Sequence, residues 1–203
     1  MYVLAVTGGM GSGKTAAARL FGSFGAVVIE LDDLAKRLIV LDGPLVDDVA
    51  RAFGDEVRAA DGGIDTGALA ARAFESPAEA RRLDAIVHPA VYAAVAGALD
   101  ALLDLAEAPG VVVLDIPLIA EAPMFFDLVD GVLAISSDED ARLGRLASRG
   151  VGEDEARARM VCQASDAERR DVADYVIDND GSLEDFRADL TDFWESEMAP
   201  RVT

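Results

Sequence analysis

Gly8-Gly9-Met10-Gly11-Ser12-Gly13-Lys14-Thr15 decides how the rest of this 203-residue chain is read. The octet fits G-x-x-x-x-G-K-[ST], with an apolar run at residues 3–6 before it and a helical pattern over residues 15–24 after it. A strand, a glycine-rich turn and a helix in that order are the context that a phosphate-binding loop (P-loop) requires. Glycines let the backbone turn tightly, so that successive N–H groups and a helix N-terminus converge on one anion. Lys14 is placed to follow the β- and γ-phosphates of a nucleotide, and the Thr15 hydroxyl to ligate magnesium. Lysine occurs at only two positions, 14 and 36, so its presence here is not compositional background.

The strand expected before the loop has four counterparts, at residues 26–29, 111–114, 132–135 and 175–177. All are short and apolar without alternation, and helical patterns separate them. They therefore read as a five-stranded parallel sheet with helices on both faces, an α/β P-loop NTPase fold. Ligands bind beyond the carboxyl ends of such strands. Gly8, Asp32, Asp115, Ser136 and Asn179 follow the five runs and gather at that edge.

Between the second and third runs, about residues 41–107 carry only helical signals. Helices are expected at 66–74 and 77–87, with Pro89 opening a further long one. We expect a helical substrate insertion there, a core formed by 1–40 and 108–203, and a helical lid at about 138–165. The final helix, 183–198, offers Leu183, Phe186, Leu190, Phe193 and Trp194 to the core.

Composition narrows the partners. A hydrophobic content of 52% supports a packed core, and a net charge of −20 argues against nucleic acid or an anionic membrane. The longest uncharged run, residues 85–99, is shorter than a membrane span. A single cysteine, Cys162, excludes a disulfide framework and suits core packing in a reducing cytoplasm. The expected state is a cytoplasmic monomer or weak homo-oligomer.

Several side chains can carry chemistry. Asp32 can take the proton of an attacking hydroxyl or orient it, and its neighbour Asp33 suits a helix cap. Asp115 can hold magnesium or meet the substrate, and Glu121 can bond a ribose or an arginine. Arg142, Arg145 and Arg149 share a helical face from which guanidinium groups can close over phosphates, and Arg169 can join them. His88, the only histidine, precedes a proline.

With these residues in place, the chain resembles the dephospho-CoA kinase family over nearly its whole length. Residues 7–14 match the family's T-G-G-x-G-S-G-K opening, and Val28-Ile29-Glu30-Leu31-Asp32 matches V-I-D-A-D. Phe53-Gly54, Asp61-Gly62, His88-Pro89, residues 115–121, Gln163 and residues 173–179 fall in the family's order. Glu30 replaces an aspartate, Thr15 a serine, and Leu41-Asp42 a frequent Pro-Gly, while Thr66 and Tyr92 stand where arginine is common. The resemblance implies ATP-dependent phosphorylation of the ribose 3′-hydroxyl of dephospho-CoA with magnesium. It implies that Gly8, Gly9, Met10, Gly11, Ser12, Gly13, Lys14 and Thr15 hold the phosphates, and that Thr15 and Asp115 serve the metal. Asp32, Lys14 and Arg145 would be catalytic, with Arg145 and Arg149 closing from the lid and Asn179 beside adenine. Asp32, His88, Asp115 and Glu121 would meet the acceptor.

Other readings are a P-loop kinase for another small alcohol or nucleoside, a catalytically weak nucleotide-binding paralogue, and a GTP-driven switch. The last needs N-K-x-D for guanine, and the only asparagine, Asn179, is followed by Asp180.

Overall fold

The computed structural model describes residues 1–117, 119–120, 122–161 and 163–202. It divides into two compact units, one of Met1–Glu30 with Ala98–Thr203 and the other of Leu31–Gly97.

The first unit is built on a parallel sheet of β1 (Tyr2–Thr7), β2 (Val27–Glu30), β3 (Val111–Asp115), β4 (Gly131–Ser136) and β5 (Tyr175–Asp178), in the order β2-β3-β1-β4-β5. β3 and β4 are buried throughout and β1 from Val3 onward, as their uninterrupted apolar runs require. One face packs Leu4, Val6, Val113 and Ile135 against Ala17 and Phe21 of α1 (Lys14–Ser23) and Phe186 and Leu190 of α9 (Leu183–Phe193). β5 departs from the expectation: its residues alternate, and Val176 is exposed. Its place at the sheet edge explains this, because an outer strand is not sandwiched as the central ones are.

The strand order positions the site. Register pairs Val6 with Asp115 and Asp115 with Glu30, and Ser136 with Asp178, so β1, β2 and β3 end at one level and β4 and β5 end together a little further on, all along one edge of the sheet. β1 lies between β3 and β4, where successive connections turn to opposite sides of the sheet, and this is where open α/β sheets bind ligands.

The remaining helices of this unit are α6 (Glu139–Ala147), α7 (Glu153–Val161) and α8 (Asp166–Asp171). α8 was not expected, although Ser165 and Glu168 form a capping box that announces it. At the C-terminus α9 runs into a π turn, Trp194–Met198. Phe186, Leu190 and Trp194 are buried as expected, whereas Leu183, one residue past the Ser182 cap, stays exposed.

The second unit holds α2 (Leu31–Ile39), α3 (Val46–Phe53), α4 (Thr66–Ala73) and most of α5 (Pro77–Leu103). Its core gathers Ile39, Val46, Val49, Phe53, Val57 and Leu69, with Leu83, Ile86, Val87 and Ala90 packed against them. The unit boundaries fall at 30/31 and 97/98, not at the 40/41 and 107/108 divisions read from the sequence. The second of them lies inside α5.

α5 also corrects the expected break before Pro89. It is one helix of 27 residues with the proline inside. Pro89 forfeits one backbone hydrogen bond, a cost of about 3 kcal/mol in an isolated helix. Here an apolar stripe runs straight through it, from Leu83, Ile86 and Val87 to the buried Val91, Val95 and Leu99, and this continuous burial outweighs the lost bond. By length and composition α5 passes as a membrane-crossing helix, against the short uncharged run read from the sequence; 17% of the qualifying stretch is buried, and Val91, Val95 and Leu99 are among the buried residues of the helix.

Candidate active site

Two glycines shape the loop between β1 and α1. Gly11 has φ 81° and Gly13, the residue capping α1, has φ 107° and ψ 4°, a left-handed conformation that a β-carbon would strain. Gly8 is demanded by crowding instead, since a β-carbon there would strike Ser12 Oγ and lie 2.6 Å from the Ile135 carbonyl. The Ser12 N–H donates back to the Gly9 carbonyl at 3.0 Å, closing the turn.

A polar brace supports the loop. Asn179, the first residue after β5, is buried, and its Nδ2 donates to the Ser12 carbonyl at 2.7 Å. Arg145 on α6 spreads its fork over the same group. Nη1 reaches the Gly11 carbonyl at 3.2 Å and Ser137 Oγ at 2.9 Å, while Nη2 reaches the Asn179 carbonyl at 2.5 Å and its Oδ1 at 3.3 Å. From the other side, Gln163 Oε1 accepts from the Met10 N–H at 3.3 Å. Arg170 ties Ser136 to Asp166 and Asp178, and the bond to Asp166 is the largest cause holding its pKa above the ordinary value.

Lys14 opens α1 and forms an ion pair with Asp115 at the end of β3, with both side chains largely buried. The Ser12 hydroxyl is buried and has no hydrogen-bond partner. Leaving a buried polar atom unpaired costs about 1–3 kcal/mol, so an orphan inside a ring of glycines marks a place where a ligand completes the bonding.

The family model described as dephospho-CoA kinase matches residues 2–185. The chain belongs to the dephospho-CoA kinase family. A relative of that name from Syntrophotalea carbinolica is 42% identical over 188 residues, covering 92% of this chain and 88% of the relative. Another from Frankia casuarinae is 38% identical over 201 residues, covering 99% and 86%. Among solved structures, the dephospho-CoA kinase from Campylobacter jejuni superposes with a TM-score of 0.68 at 22% identity over 95% of each chain, a likeness of fold.

Within this dephospho-CoA kinase family member, the loop residues, Lys14, Thr15, Asp115, Arg145 and Asn179 come together in the first unit. Arg145 donates to the Gly11 carbonyl and to Asn179, and the Asn179 Nδ2 donates to the Ser12 carbonyl. Arg149 lies beyond the end of α6 and is exposed. Glu121 and Cys162 lie outside the described residues.

Asp32 and His88 belong to the second unit. Asp32 and Asp33 both sit in the first turn of α2. Asp33 pairs with Lys36 at 3.2 Å, whereas no hydrogen bond or ion pair engages Asp32 among the described residues. His88 Nε2 lies 3.5 Å from Asp84 Oδ1, one turn back along α5. Glu30, at the end of β2, faces Arg19 at 3.8 Å.

Gln163 entered the sequence reading only as a family position, and Ser137 did not enter at all. Local sequence announces neither, since Gln163 reaches back to Met10 and the Ser137 hydroxyl also donates forward to the Asn179 carbonyl at 2.8 Å, both distant in the chain. The brace makes a testable demand. Asn179→Ala leaves the Ser12 carbonyl and the Arg145 fork short of a partner, at about 1–3 kcal/mol. Thermal unfolding should show Tm lower by roughly 3–10 °C, with weaker ATP binding by calorimetry. An unchanged Tm would show that the brace contributes nothing.

Proposed function

We propose that the chain transfers the γ-phosphoryl group of ATP to the ribose 3′-hydroxyl of dephospho-CoA, giving coenzyme A and ADP. The observation that carries this reading is the braced glycine loop with Lys14 at its rim and an unpartnered Ser12 hydroxyl inside it, in a member of the dephospho-CoA kinase family.

In this reading the loop amides and Lys14 bind the triphosphate, and the Gly11 and Gly13 conformations aim those amides without reorganisation when charge shifts. Asp32 accepts the proton of the 3′-hydroxyl, whose oxygen forms the new bond to the γ-phosphorus as the bridging bond to the β-phosphate breaks. Its uncommitted carboxylate, beside an Asp33 already held by Lys36, suits that task. Arg145 and Asn179 keep the loop in shape, with Arg149 available from the lid segment and His88 on the acceptor side.

The residues also fit magnesium. Among the described residues no cluster of three or more His, Cys, Asp or Glu could hold a metal by itself. Magnesium in kinases needs none, because phosphates and water supply most of its six positions. The Asp115 carboxylate, which pairs with Lys14, and the hydroxyl of Thr15, the next residue in the chain, would complete the set. When bound, the ion offsets phosphate charge during transfer.

The test is ADP release by the purified protein with ATP and magnesium, with and without dephospho-CoA, and mass analysis of the acceptor. We expect release to depend on dephospho-CoA, with one phosphoryl added at the 3′ position. Equal release without acceptor, or preference for a simple nucleoside, would overturn the assignment.

A further inference from the structure

Arg142 shares a helical face with Arg145, and its side chain lies against the glycine loop. It sits on α6 one turn before Arg145. Its Nη1 occupies the space that a β-carbon on Gly9 would need, and its own carbonyl and Cα close over Gly11, 2.9 and 3.2 Å from the corresponding position there. Gly9 and Arg142 thus make sense only together, because any larger residue at 9 would displace the guanidinium.

The Arg142 Nε is buried and has no hydrogen-bond partner. Nor does any other atom of its guanidinium donate a hydrogen bond or enter an ion pair among the described residues. A second guanidinium comes to the same point, since Arg169 Nη1 lies 3.2 Å from the same Gly9 position and its residue is buried. A guanidinium with an idle donor in a partly dry place is stabilised when an anion joins it. The loop they press against carries a second idle polar atom, Ser12 Oγ.

We infer that Arg142 is a phosphate-contacting residue, supplying its guanidinium to the terminal phosphates of the nucleotide held by the loop. This inference rests on the ATP reading above and adds a residue to it. The chemistry recognised is a polyphosphate chain, for which a planar fork of N–H donors is suited. Charge from Arg142 and Arg169, together with Lys14, also gives the loop a local positive field inside a chain of net charge −20.

Calorimetric binding of ATP, ADP and AMP to the full chain in magnesium, for wild type, Arg142→Gln and Arg142→Lys, tests it. Arg142→Gln keeps a polar side chain and removes the charge. Its Kd for ATP and ADP should rise about tenfold or more, while that for AMP changes less than about threefold. Arg142→Lys should lie between. Equal factors across the three nucleotides, or no change, in a variant whose circular dichroism matches wild type would overturn the role. Should Arg142→Gln fail to fold, the wild-type protein decides by nitrogen-15 NMR, with the Arg142 Nε–H signal identified by its loss in Arg142→Lys. That signal should move on adding ATP and not on adding adenosine, and a signal indifferent to ATP sinks the inference. Failure of wild type itself to bind ATP would remove the ATP reading, whereas normal wild-type binding with an indifferent Arg142 removes this inference alone.

Discussion

Lys14→Ala should abolish nearly all phosphoryl transfer, lowering kcat by about a hundredfold to a thousandfold or more, because its charge meets phosphate oxygens as negative charge moves during transfer. The ion pair with Asp115 adds a second effect that the motif alone did not foretell. Removing the lysine strands a buried carboxylate, at about 3 kcal/mol or more, and Tm should fall by roughly 10 °C. The two effects can be separated. Lys14→Ala with Asp115→Asn has no stranded charge, so Tm should return most of the way while activity stays lost. Near-normal turnover in folded Lys14→Ala would remove the phosphate-binding role. An unshifted Tm would instead show that the buried pair carries no net stability.

Asp32→Asn keeps the side-chain shape and removes the negative acceptor. Turnover should fall by about two orders of magnitude or more, with ATP affinity little changed, since the residue acts on the acceptor hydroxyl and not on the triphosphate. Asp33→Asn is the control. Its carboxylate makes an exposed i,i+3 pair with Lys36, worth a few tenths of a kcal/mol at most, so it should be nearly silent. A damaging Asp33→Asn beside a harmless Asp32→Asn would shift the catalytic assignment by one residue.

What the sequence made legible follows from how local each signal is. The glycine loop, its flanking strand and helix, and the buried central strands are written in contiguous residues, so their reading needed no tertiary information. β5 was legible as a strand but not as an edge, because edge position is a property of the sheet and not of residues 175–178. The Pro89 break was expected from a rule about isolated helices, and burial on both sides of the proline overrode it. In the site, Lys14 and Thr15 were readable from the motif. The brace was not, because Arg145, Asn179 and Gln163 reach the loop across more than a hundred residues, and spacing along one helix said nothing of which carbonyls a guanidinium would find.

The aromatic cluster at the end of α9 gives the protein a built-in optical reporter. Trp194 is the only tryptophan. It stacks on Phe21 with ring centroids 5.5 Å apart, meets Phe24 at 5.7 Å, and is 6% exposed. Phe21 lies on the helix that begins at Lys14, whereas the unit Leu31–Gly97 contains no tryptophan. Indole emission therefore watches only the nucleotide-binding unit, and far-ultraviolet dichroism watches the helices of both. A denaturant titration followed both ways will read whether the two units melt as one, since coincident curves mean a single cooperative transition and a dichroism change without a red shift means the helical unit opens first.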